Sequence, residues 1–169
     1  MLHKGGDLLI RINLITVGKL KEAYWRDAAA EYSKRLSADC KLVITELAES
    51  RLPDAPSDKE IQRALADEAK AMEPLFSAKG AYNIAMCIEG GQITSPELSE
   101  KLSSLAVGGC PVVNFIIGSS FGISDEVKRR ADLRLSMSRM TFPHQLARIM
   151  LLEQIYRAFQ IGRRTKYHK

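Results

Sequence analysis

The feature that most constrains the fold is an alternation of short, mostly apolar runs with segments of helical periodicity. The runs cover residues 10–17, 41–47, 81–88, 112–117 and 133–136, and the first and fourth are followed directly by glycine. Between them, apolar residues recur at helical spacing with charged residues among them. Strands that are apolar throughout and alternate with helices predict an α/β fold, a mainly parallel sheet with helices on both faces. The predicted helices cover 22–36, 58–76, 95–106, a short stretch from Ser124, and 143–161.

The chain length of 169 residues predicts a single domain, residues 1–169. We expect residues 1–10 to form a flexible extension before the first strand, because they do not resemble a secretory signal. No apolar run reaches the roughly 20 residues that span a bilayer. We therefore expect a cytoplasmic protein without a membrane partner.

The three cysteines are far apart and do not have the spacing of metal ligands. Buried, reduced thiols in the cytoplasm are the favoured interpretation, with zinc binding or thiol catalysis as the alternatives. We expect no metal. The residues are Cys40, Cys87 and Cys110.

The net charge of +5 is unevenly distributed along the chain. From Lys128 to the end there are eleven basic and two acidic residues, whereas the part before it is net negative. A solvated basic face is the ordinary explanation of such a segment. Its concentration at one end favours an anionic partner such as nucleic acid.

Three loops follow predicted strands, where open parallel sheets bind ligands. The glycine-containing loop 118–122 (GSSFG) could be a structural turn or a ligand-binding loop with about equal weight, since it is neither a dinucleotide fingerprint nor a P-loop. The sequence 89–92 (EGGQ) favours a turn with positive φ over a binding site. The loop 137–142 could hold a flat ring or place its methionines in the core.

The last helix and the tail complete the set of candidate sites. The helix beginning at Pro143 is apolar over more than one stripe, which indicates either a homodimer interface or a central position in the fold. His144, near its start, is more typical of a structural histidine than of a catalytic one. The basic tail, with Tyr167 and His168, can contact phosphates and stack on bases, although a disordered terminus is the simpler alternative.

Three segments together resemble a known family. They are ITVGKLKEAYW near the start, NFIIGSSFGIS in the middle, and LSMSRMTFPHQLARIMLLEQIYRAF followed by YHK at the end. The chain resembles the small SPOUT-class RNA methyltransferases. Within that class it is most similar to the bacterial family that methylates N3 of a pseudouridine in large-subunit (23S) ribosomal RNA.

The resemblance implies a C-terminal trefoil knot, a homodimer, and S-adenosylmethionine as methyl donor. It implies that the substrate is ribosomal RNA within assembled ribosomes. Matching motif positions imply a donor site that includes Met86, Gly118, Met137, Ser138, Arg139, Met140, Thr141 and Phe142. We expect Tyr167 and His168 to act on the nucleotide, and RNA contacts from Arg148, Arg157, Arg163, Arg164 and Lys166.

Residues 1–10 precede the usual start of the family, and the chain departs from the family pattern at two further places. Gly118-Ser119 stands where the family often has two glycines, and Arg164 stands where glycine is common. The departure at Arg164 puts the path of the tail in doubt. Two other functions remain open at this point: an RNA-binding module without catalysis, and a nucleotide-binding oxidoreductase, which the missing dinucleotide fingerprint disfavours.

Overall fold

The computed structural model describes residues 10–165 and 167. Five parallel strands form one sheet in the order β2-β1-β4-β3-β5, which confirms the predicted α/β fold. The strands are β1 (Arg11–Val17), β2 (Lys41–Leu47), β3 (Ala81–Gly91), β4 (Val112–Ile117) and β5 (Leu133–Leu135). The helices are α1 (Ala23–Leu36), α2 (Asp58–Phe76), α3 (Ser95–Val107), α4 (Asp125–Arg130) and α5 (His144–Gly162).

Helices cover both faces of the sheet, because alternate side chains of each strand point to opposite faces. Leu14 and Phe115 belong to a core shared with α1, α3 and α5. Ile15 and Ile116 belong to a second core with α2 and α4. All four of these side chains have no solvent exposure.

Local signals in the sequence determine where most helices begin. Ser57 and Thr94 form capping boxes at the starts of α2 and α3, and Ser124 accepts a hydrogen bond from the backbone N–H of Val127 at the start of α4. Pro143 is the residue before α5 and not its first residue. A proline suits this position because the first helical N–H groups have no partner within the helix.

Helix α5 lies against α1 and α3 in the fold. Leu151, Leu152 and Ile155 are almost completely buried. Part of the broad apolar surface of this helix is therefore buried within one subunit, as the central-position alternative predicts.

The prediction of a turn at 89–92 is wrong. Strand β3 continues through Glu89 and Gly90 to Gly91, and neither glycine has a positive φ. Gly90 is needed for close approach, because a Cβ there would lie 2.7 Å from the backbone of Leu135 in β5.

The start of the chain also differs from expectation at one residue. Ile10, which the sequence placed both in the extension and in the first apolar run, is buried in the first core, and its carbonyl accepts a hydrogen bond from the backbone N–H of Lys41. The preceding nine residues lie outside the described part of the chain. Within the described part, no helix is long and apolar enough to cross a membrane.

Candidate active site

A cavity of about 350 Å³ opens at the carboxyl ends of β3, β4 and β5. Its volume lies within the range typical of small-ligand sites. Three loops meet there because the strands that precede them are neighbours in a parallel sheet. The lining comes from residues 86–89, 117–123, 135–138 and 140–142, together with Lys128, His144 and Ala147.

The loop after β4 forms one wall as a tight turn. Gly122 has φ +85° and its N–H donates to the carbonyl of Ser119 over 2.9 Å. A Cβ on Gly118 would lie 1.9 Å from the carbonyl oxygen of Gly122. Glycine at position 118 is therefore required for the turn to close.

The loop after β5 forms the opposite wall and is held by its own polar groups. The backbone N–H of Ser136 donates to the carbonyl of Gly91, and its hydroxyl donates to the carbonyl of Ser138. The Ser138 hydroxyl accepts from the N–H of Met140 over 3.0 Å. Met140, 71% exposed, lies at the rim.

Seven of the eight predicted donor-site residues line this cavity. Arg139 is the exception: it is exposed, and the cavity wall does not include it. The remaining positions are Met86, Gly118, Met137, Ser138, Met140, Thr141 and Phe142.

Charged groups at the cavity were not predicted. Lys128 and Glu89 form an ion pair, and the hydrogen bond from Lys128 lowers the pKa of Glu89. Burial lowers the pKa of His144, and the nearby Glu49 offsets part of that effect. Glu89 and Lys128 are far apart in the sequence and meet only in the folded chain, so the sequence did not predict their ion pair. For His144, the sequence showed only that it lies near the start of a helix.

Cys87 also lines the cavity, and burial is the main cause of its raised pKa. A thiol with a raised pKa is a poor nucleophile at neutral pH. No cluster of three or more histidine, cysteine or acidic residues suited to a metal occurs among residues 10–165 and 167.

Tyr167, the described residue at the end of the tail, lies against α5 and does not line the cavity of its own subunit. Tyr167 lies edge-on to Tyr156 with 4.9 Å between ring centroids, and its hydroxyl donates to Glu153. The guanidinium of Arg157 lies 4.9 Å from the Tyr167 ring centroid and also pairs with Glu153. The predicted residues Lys166 and His168 lie outside the described part of the chain.

The prediction that Arg148 contacts RNA is corrected by its burial. Its side chain is 1% exposed, and its guanidinium pairs with Glu46 and donates to the carbonyl of Gly18. This cation faces the protein interior and holds α5 against the ends of β1 and β2.

Arg163 and Arg164, two further predicted RNA contacts, lie just after the end of α5. Arg163 pairs with Asp39 over 2.8 Å and donates to the carbonyl of Ala38, yet remains about half exposed. Arg164 is exposed and has φ 55°, the left-handed region that favours glycine. Glycine adopts this backbone conformation more readily than arginine does.

Comparison with known proteins places this geometry in context. The family model described as Predicted SPOUT methyltransferase matches residues 10–168. The ribosomal RNA large subunit methyltransferase H of Bifidobacterium adolescentis is 48% identical over 164 residues, covering 95% of this chain and 100% of that protein. A protein of the same name from Clostridium perfringens is 47% identical, again over 95% of this chain and 100% of that protein.

Among solved structures, a methylase-family protein from Neisseria gonorrhoeae has a TM-score of 0.54 at 15% identity. The match covers 92% of this chain and 85% of the other. At that identity, the similarity establishes the fold alone.

Proposed function

The chain belongs to the SPOUT methyltransferase family, and from that premise we propose that it methylates large-subunit ribosomal RNA with S-adenosylmethionine as the donor. The acceptor is N3 of a pseudouridine. The observation that carries the proposal is the cavity at the carboxyl ends of β3, β4 and β5, built from the segments that carry the family resemblance. The near-full-length similarity to ribosomal RNA methyltransferases supports the substrate class.

The cavity suits the donor in size and chemistry. Its walls combine apolar side chains such as Met86, Ile117 and Leu135 with backbone groups of two tight loops, a setting for a flat ring and a polar chain. S-adenosylmethionine supplies an electrophilic methyl group on a sulfonium. Gly118 keeps the turn close to the ligand, and Met137 and Phe142 exclude water.

The nucleotide-facing chemistry is assigned to the tail. Methyl transfer to N3 requires removal of a proton and alignment of the acceptor with the methyl carbon. Tyr167 and His168 are the proposed positioning and proton-accepting groups. Arg157, Arg163, Arg164 and Lys166 supply cations for the phosphates. Arg139, exposed beside the cavity, is assigned to the RNA side and not to the donor side.

The active form is proposed to be a homodimer. Besides its buried residues, α5 carries the partly exposed apolar side chains Leu146, Ile149, Met150 and Phe159, which a second subunit would cover. Because Tyr167 lies outside its own cavity, the tail of a partner subunit is the natural source of the nucleotide-facing groups.

A C-terminal trefoil knot is part of the same proposal. Strand β5 pairs with β3 near one edge of the sheet, whereas α5 returns to pack on α1 and α3. The connecting segment passes turn 118–122 at the shared cavity, as threading would require. A ribosomal substrate also favours a cytoplasmic location.

The decisive experiment measures methyl transfer to ribosomes from a strain that lacks this protein. With labelled S-adenosylmethionine, we expect label in large-subunit RNA, and mass mapping should place it on a single pseudouridine. Calorimetry should show donor binding by the wild type and strongly weakened binding by Gly118→Ala. Donor binding or RNA binding without transfer would instead favour an RNA-binding module without catalysis.

A further inference from the structure

A buried carboxylate lies directly behind the donor-site turn. Glu68 of α2 is 4% exposed. Within the described residues, none of its hydrogen-bond partners is a basic side chain. One carboxylate oxygen accepts the hydroxyl of Ser119 over 3.0 Å. The other accepts the backbone N–H of Ser50 over 3.2 Å.

Ser119 connects this carboxylate to the donor cavity. It follows Gly118 directly, is 7% exposed, and its carbonyl closes the turn by accepting from Gly122. The hydrogen bond from the Ser119 side chain to Glu68 therefore also restrains the backbone of Gly118 and Ser120, which lines the cavity.

A second cavity, of about 320 Å³, lies on the other side of the same turn. Ser119, Ser120 and Phe121 line both cavities. Close-packed side chains normally hold such a turn in place, but here empty space adjoins it. Hydrogen bonds to neighbouring elements therefore contribute to its position: the Ser119–Glu68 bond is buried and the Ser120–Glu49 bond is exposed.

Burial raises the pKa of Glu68, the hydrogen bonds from Ser50 and Ser119 offset part of that rise, and the nearby Glu49 adds to it. A raised pKa in the folded state means that the charged form lowers stability at pH values above it. A neutral side chain of the same shape would relieve this cost, so stability of the fold alone does not account for the carboxylate.

We propose that Glu68 is a positioning residue for donor binding, which holds the 118–122 turn in its ligand-binding conformation through Ser119. This inference rests on the proposed function, since it concerns the same cavity. It predicts that the carboxylate improves donor affinity without improving thermal stability.

The test is a double-mutant cycle on donor affinity in the full-length protein. Glu68→Gln keeps the side-chain shape but replaces one of the two acceptor oxygens by an NH₂ group, so the charged acceptor for Ser119 is lost. Ser119→Ala removes the donating hydroxyl. Each should weaken S-adenosylmethionine binding about tenfold, the effect of losing one hydrogen bond to a charged acceptor. The double variant should bind no more weakly than either single variant, because both act on one contact.

Two further measurements distinguish a role of Glu68 in positioning the turn from a role in stabilising the whole fold. Glu68→Gln should melt at the wild-type temperature or above it. In methyl-transfer assays its donor KM should rise about tenfold while kcat at saturating donor changes less than about twofold. Asp67→Asn, which removes an exposed charge at the adjacent position of α2, is the matched control and should leave affinity unchanged.

The outcomes distinguish this inference from the proposed function. If the wild type binds no S-adenosylmethionine, the proposed function fails first. If the wild type binds it and Glu68→Gln binds equally well, or if the two single effects add, the positioning role of Glu68 is wrong and the donor site stands.

Discussion

The guanidinium of Arg148 lies 2.6 Å from a carboxylate oxygen of Glu46, joining the first turns of α5 to the end of β2. Arg148 is buried, whereas Glu46 is about one-third exposed. A second hydrogen bond, 3.0 Å long, runs from Arg148 to the carbonyl of Gly18 at the end of β1. One side chain thus connects three elements beneath His144, which lines the donor cavity.

Replacing Arg148 should therefore affect stability more than RNA binding. We expect Arg148→Leu to lower the free energy of unfolding by about 2–4 kcal/mol, since Glu46 and the Gly18 carbonyl lose their partner. Chemical denaturation measures this change. The double variant Glu46→Leu/Arg148→Leu should recover part of the loss. A change in the salt dependence of RNA binding by the folded Arg148→Leu protein would contradict the interior role.

The two adjacent glycines at the end of β3 should respond differently to alanine. In Gly90→Ala the new Cβ would lie 2.7 Å from the backbone of β5, so the strands must separate. We expect a loss of about 1–3 kcal/mol and weaker donor binding, because β5 leads into the loop that lines the cavity. In Gly91→Ala the nearest atom is the carbonyl oxygen of Arg134 at 4.0 Å, so this variant is the matched control. Equal effects of the two substitutions on melting temperature would contradict the close-approach explanation.

The cysteines should differ in reactivity toward a thiol reagent. Burial raises the pKa of Cys40 to about 12, so it should remain unmodified in the native protein at pH 8. Cys87 should react slowly, and faster as pH rises, because its pKa is raised and only the thiolate is nucleophilic. Peptide mass mapping identifies the modified residues.

Donor binding should protect only the cysteine in the cavity. With S-adenosylmethionine at about ten times its Kd, modification of Cys87 should slow by about tenfold. Cys110 does not line the cavity and provides the internal control. Protection of both cysteines alike would indicate a general tightening of the protein and not occupancy of the cavity.

Features that depend on residues close together in the sequence were predicted, whereas features that depend on contacts between distant segments were not. Periodicity and capping residues predicted the bounds of β2, α2 and β4 correctly. They could not reveal that Asn114 donates to Asn83 and accepts from Asn13, each over 2.8 Å, because those residues meet only through the register of three strands. The turn at Gly90 was predicted wrongly for the same reason: the neighbour that requires a glycine there is β5, which is remote in sequence.

In the candidate site, too, local features were predicted and long-range contacts were not. The loops were found from glycines after strands and from the family resemblance, whereas the Glu68–Ser119 contact and the burial of Arg148 depend on packing between distant elements. Charge alone made Arg148 appear available to RNA. Arginine is usually exposed unless it is paired, and the sequence did not show the paired position.

Arg164 combines a strained backbone with an exposed cation, so substitutions there should separate stability from RNA binding. At φ 55° a non-glycine residue is disfavoured by about 1–2 kcal/mol. We expect Arg164→Gly to raise the free energy of unfolding by about 1 kcal/mol or less, since the flexibility of glycine in the unfolded chain offsets part of the gain. Arg164→Ala keeps the strained backbone and should not stabilise the protein.

Both variants should weaken binding to ribosomal RNA. They should also reduce the slope of log affinity against log salt concentration by about one, as expected for the loss of one phosphate contact. Measuring affinity against salt concentration for both variants tests this, and unchanged slopes would exclude Arg164 from the RNA interface.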